Sequence, residues 1–75
     1  MRFDPHARRR MTERGITEAE VAEALAARET SYPSRRRPQR LVVLGRTAGG
    51  RRLKVVVLVA DEEFVITVAD RDQED

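Results

Sequence analysis

Apolar positions along this chain follow two regimes. Up to Ala27 they recur at helical spacing; from Arg40 onward they gather into short Val-, Leu- and Ile-rich runs. In the first regime Ala7, Met11 and Arg14 share one side of a helix that turns about 100° per residue. Asp4 offers a capping carboxylate and Pro5 suits the first helical position, so a helix is expected from there. It should end at Gly15, which can close a helix in the left-handed conformation. Thr17 and Glu20 form a capping box for a second helix, with Val21, Ala22 and Leu25 as its apolar stripe. Its early acids, Glu18, Glu20 and Glu23, lie where the helix dipole favours negative charge. With only Gly15-Ile16 between them, the two helices must form a tight hairpin, and Ile16 should plug its bend.

The second regime predicts strands. Thr30 to Tyr32 reads as a short one bounded by Pro33, which cannot donate to a ladder. Ser34 to Gln39 is an arginine-dense loop, followed by strands over Arg40 to Arg46, Arg51 to Ala60 and Glu63 to Ala69. Thr47-Ala48-Gly49-Gly50 and Asp61-Glu62 are the turns between them. The expected fold is α+β, an N-terminal helix hairpin packed on one face of a four-stranded, mainly antiparallel sheet. One domain over 1–75 is expected, with the hairpin at 1–28, the sheet at 29–69 and an acidic tail at 70–75. In the long strand Leu53, Val55, Val57 and Val59 face one side, and Arg52, Lys54, Val56 and Leu58 the other. The helices can cover only one of these apolar faces, so the second, which carries Arg52 and Lys54, needs either a partner chain, as in a homodimer or a complex with another protein, or a solvent-exposed groove.

Composition narrows the chemistry. With no cysteine and one histidine among 75 residues, disulfides and thiolate sites are excluded. A dedicated metal or cofactor site is not expected. No apolar run approaches the roughly 20 residues that span a bilayer, so neither membrane insertion nor a signal peptide is expected, and a cytoplasmic protein is. The net charge of +2 hides a segregation: residues 1–60 carry +8 and residues 61–75 carry −6. Lys54 is the only lysine. Arginine suits bidentate phosphate contact, and a GC-rich genome explains the same bias.

Candidate chemistry starts on the first helix. His6, Arg10 and Arg14 stand at i, i+4 and i+8 and form a ridge along the edge of its apolar seam. His6 is the one residue of a type that exchanges protons near neutral pH. Bland alternatives stand beside this ridge. His6 suits a helix start, Arg14 complements a helix C-terminus, and Arg10 or Arg14 can pair with the acids of the second helix. Arg35, Arg36 and Arg37 read as a solvated loop or as a backbone-tracking contact with nucleic acid.

The pattern H-A-x-x-R-M-x-x-R-G-I-[ST] over His6 to Thr17, followed by an acidic amphipathic helix, resembles family 4258 of the domains of unknown function. That family looks like a relative of BrnT-type and RelE/ParE-type toxins, and the Phe3-Asp4-Pro5 opening is similar to that of BrnT proteins. The resemblance implies a toxin of a toxin–antitoxin pair, with an antitoxin as partner and messenger RNA as target. RNA cleavage needs deprotonation of the 2′-hydroxyl, stabilisation of the phosphorane and protonation of the leaving oxygen. The residues available for these roles are His6 as base, Arg10 on phosphate, and Tyr32 for proton transfer or base stacking. Arg14, Arg35, Arg36, Arg37, Arg52 and Lys54 would hold nucleic acid. One lysine, one histidine and one tyrosine make a thin acid–base set. A non-catalytic module that binds nucleic acid or protein, and a structural homodimer, are the competing classes.

Overall fold

The structure, a computed structural model, describes residues 1–72. Its elements are β1 (Arg2–Phe3), α1 (Pro5–Arg14), α2 (Glu18–Ala26), β2 (Arg28–Pro33), β3 (Arg40–Arg46), β4 (Arg52–Leu58) and β5 (Phe64–Asp70). The five strands form one sheet in the order β1-β5-β4-β3-β2. All neighbours are antiparallel except β1, which pairs parallel to β5. The fold is therefore α+β, two N-terminal helices on a mixed, mostly antiparallel sheet. The strand that the sequence pattern does not reveal is β1. Two residues are too few to show alternation, and they become a strand because Arg2 N donates to Glu63 O at 2.7 Å and Asp4 N to Val65 O at 2.9 Å.

Both helix boundaries follow from their caps. Asp4 accepts from His6 N at 2.8 Å, and Gly15 takes φ 63° and ψ 42°. Thr17 and Glu20 close the reciprocal capping box of α2. Ala7 and Met11 are buried, as their spacing predicts, and Ile16 is buried at the bend between the helices. On α2 the buried pair is Val21 and Ala24, whereas Ala22 is exposed. The stripe is rotated by the close seating of α2 on β3. A Cβ at Gly45 would overlap the Ala24 carbonyl oxygen, so glycine there is what lets the helix backbone approach the strand.

The main core lies between helices and sheet. Ala7, Met11, Ile16, Val21 and Ala24 pack on Val43, Leu53, Val55, Val57, Val65 and Val68. A second, smaller cluster forms on the opposite face, where Val42, Val56 and Ile66 pack with Leu44, Leu58 and Phe64. No helix covers that face among the described residues. The ladder slips between Val56 and Val57, which pair with Thr67 and Val65, so the strand bulges at Ile66.

The chain end departs from the expected acidic tail. Asp70 closes β5, and Arg71, with 13% of its side chain exposed, bonds the Gly45 carbonyl and Glu29. Ladder pairing holds Asp70 in the sheet, and Arg71, just beyond β5, is fastened against it by these bonds and by its N–H donating to Arg52 O at 3.0 Å. The part of the expected tail at 73–75 lies outside the described residues. Among the described residues no helix is long and apolar enough to cross a membrane.

Candidate functional site

Charge neutralisation divides the surface of this protein. On the helix side and along the rims, every arginine of the described residues except the exposed Arg9 is engaged by neighbours. Arg8 meets Glu18 at 2.6 Å, Arg10 meets Glu13 at 3.1 Å, and Arg28 meets Glu62 at 2.9 Å. Arg2 pairs with Asp61 and lies over the Phe64 ring. Arg51 bonds both oxygens of Asp70 and the carbonyls of Arg14 and Gly15. Asp70 is held below its ordinary carboxyl range, by that Arg51 hydrogen bond above all. Glu29 is likewise held low, first by Arg71 and then by Arg46, its two guanidinium partners.

The remaining cations, Arg9 of α1 aside, gather elsewhere. Among the described residues, Arg35, Arg36, Arg37, Arg40, Arg52 and Lys54 reach no carboxylate within ion-pair distance. The first three sit in the hairpin loop between β2 and β3, which Ser34 N closes onto Arg40 O at 2.9 Å. Arg40, Arg52 and Lys54 belong to the uncovered face. This follows from the alternation: Leu53, Val55 and Val43 point into the helix-side core, so their neighbours on the same strands point away. Register then fixes who stands opposite whom: Arg40 and Leu58, Val42 and Val56, Leu44 and Lys54, Arg46 and Arg52. Two arginines directly opposed across a ladder repel, and Glu29 neutralises only Arg46. Arg40 and Arg46 are absent from the residues that the sequence singles out for nucleic acid. The period-two spacing of Arg40, Val42, Leu44 and Arg46 was the available signal.

The candidate catalytic residues are not brought together. His6 lies exposed at the start of α1, the helix that packs over β5 on the covered face. Tyr32 pairs with Val42 at the opposite edge, on the uncovered face, and is 47% exposed. Three strand spacings of about 4.8 Å and the thickness of the sheet separate them. One phosphate cannot bridge that distance. Arg10 is engaged with Glu13, and Arg14 turns inward to donate to Val68 O at 2.9 Å. Arg52 and Lys54 lie across the sheet from the ridge. Arg51, a natural companion of Arg52 in sequence, is turned to the covered side. The described residues form no pocket, and no three of their His, Asp or Glu side chains gather at metal-ligand spacing. What the chain offers is an exposed cationic surface with apolar and aromatic groups in it: Tyr32, Leu58 and Phe64.

Comparison with known proteins adds one finding. The family model described as "Domain of unknown function (DUF4258)" matches residues 3–70. No curated protein and no solved structure matches the chain.

Proposed function

Because the chain belongs to the DUF4258 family, with the match running from β1 to the end of β5, we propose a reading built on its surface: a RelE/ParE-like toxin module. In this reading it acts in the cytoplasm and binds RNA through its uncovered sheet face and the 34–39 loop, without an acid–base centre of its own. One observation carries it, the concentration of un-neutralised cations on that face and loop, in a chain that neutralises most of its other cations. Such cations release counterions when they meet phosphate, which favours polyanion binding. Tyr32, 47% exposed, adds aromatic surface on which an unstacked base can lie. Binding is preferred to cleavage because His6, Arg10 and Tyr32 do not share a surface.

The experiment is induction of the gene alone in a growing culture. Growth should arrest. Arrest should be relieved by the double substitution Arg36→Glu, Arg52→Glu and by co-expression of a short antitoxin encoded beside the gene. His6→Ala should leave it intact. Unimpeded growth on full expression of folded protein would reject the toxin reading. Relief of arrest by His6→Ala alone would restore the ribonuclease reading.

A further inference from the structure

One end of the uncovered face holds a network of three arginines around a single carboxylate. Arg71 N donates to Arg52 O at 3.0 Å, which sets Arg71 opposite Arg52, and Arg46 stands opposite Arg52 on its other side. Neighbours in register share a face, so Arg71, Arg52 and Arg46 form a row from the end of β5 across β4 to β3. Glu29 of the edge strand β2 closes the row. The ladder shifts register between Arg28 and Thr30, so Glu29 sits in a bulge, a device that re-aims a side chain. Its Oε1 accepts from Arg71 Nη1 at 2.6 Å and its Oε2 from Arg46 Nε at 2.8 Å. Both carboxylate oxygens are thereby taken. Arg52 meets no carboxylate among the described residues, and Arg71 Nε is buried there without a hydrogen-bond partner. A buried orphan donor is costly, and so are two arginines opposed across a ladder.

We infer that Arg46, Arg52 and Arg71 form a binding site for a phosphate monoester, and that Glu29 is its built-in placeholder. The monoester is either the terminal phosphate of an RNA strand or a free small phosphate. Charge and oxygen count select it. Three arginines against one carboxylate leave two positive charges in excess. A phosphodiester offers two free oxygens and one charge, as Glu29 already does. A monoester brings three oxygens and about −1.5 to −2 charge at pH 7, enough to meet all three guanidinium groups. Glu29 can yield its place, because it is exposed on an edge strand and has no ladder partner in β3. Arg71 stays, its side chain only 13% exposed and tied to Gly45 O at 3.1 Å. Exchange of Glu29 for the ligand makes this carboxylate a brake on binding. The site rests on the RNA reading only where the monoester ends a strand.

The test titrates the full chain with three probes: inorganic phosphate, a short single-stranded RNA ending in a phosphate, and the same RNA with hydroxyls at both ends. Calorimetry gives the affinities, and the Nε–H resonances of the arginines locate the contact. The phosphate-ended RNA should bind at least tenfold more tightly than the hydroxyl-ended one. Inorganic phosphate should shift Arg46, Arg52 and Arg71 and compete for that preference. Glu29→Gln, which keeps the shape and removes the charge, should tighten phosphate-ended RNA about tenfold. Arg46→Gln, a change at an exposed side chain, should abolish the difference between the two RNA ends. Thermal melts on both variants separate function from structure: a Glu29→Gln protein that melts lower and binds no tighter makes Glu29 a strap and overturns the inference. So do equal affinities for the two RNA ends, or resonances of Arg46 and Arg71 that no probe shifts. A protein that binds both RNAs alike keeps the proposed function and loses this site. One that binds inorganic phosphate through these arginines, and no RNA, loses the proposed function and keeps the site.

Discussion

Arg51 and Asp70 face each other across the β4–β5 edge with two hydrogen bonds, Nε to Oδ1 at 2.7 Å and Nη2 to Oδ2 at 3.0 Å. The same guanidinium donates to the Arg14 and Gly15 carbonyls at 2.9 Å, which α1 leaves without partners at its end. One side chain thus fastens the helix hairpin to the sheet.

Arg51→Ala should therefore destabilise the fold by about 2–3 kcal/mol, the range for losing charge-assisted hydrogen bonds to partly buried groups. Urea denaturation measures it. The effect should depend on acidity. Asp70 has its carboxyl pKa depressed below its ordinary value of 3.8, so its contribution is complete above that value. It is lost as pH falls through the folded pKa. The stability gap between wild type and variant should be full near about pH 7 and shrink below about pH 4. A gap that stays constant into acid would reject the pairing as its source.

Gly45→Ala tests the seating of α2. The new methyl would collide with the Ala24 carbonyl, a backbone atom that moves only with its helix. A loss of about 3 kcal/mol or more is expected, above the usual overpacking cost because backbone must shift. A melting temperature within a degree or two of wild type would show that the helix is not held where the structure places it.

The two ends of the ridge on α1 should behave oppositely. Arg14→Ala removes the bond to Val68 O and should cost about 1–2 kcal/mol while leaving RNA affinity unmoved. His6→Ala alters an exposed ring and should move neither stability nor affinity by more than about 0.5 kcal/mol. Thermal melts and RNA titrations on the same preparations separate these outcomes. Loss of RNA affinity in a stable Arg14→Ala protein would return that arginine to the binding surface.

RNA affinity should fall steeply with salt, by roughly 0.7 log units per tenfold increase for each phosphate contact on a single strand. Arg36→Glu with Arg52→Glu should abolish binding and leave the melting curve intact, because neither side chain has a partner in the described fold. Filter binding at two salt concentrations is sufficient. Salt-independent binding would reject phosphate contact as its basis.

Local physics in the sequence determined the helix hairpin. The caps at Asp4, Thr17 and Gly15, the Ala7–Met11 seam and Ile16 at the bend act within a few residues of one another. The strands from Arg40 onward were equally legible, because period-two alternation is written in consecutive positions. So was the presence of a face that the helices cannot cover. Tertiary structure alone decided the rest, since it depends on which distant segments become neighbours. The strand at Arg2–Phe3 exists only because β5 lies beside it. Arg51 and Arg52 adjoin in sequence, yet the pleat sends one to Asp70 and the helix end, and the other to the uncovered face. His6 and Tyr32, plausible partners by residue type, are parted by strand order, because the chain places β2 at the far edge from β1 and β5. Pairing order and pleat, set by long-range packing, decide which charges are neutralised and which remain for a ligand.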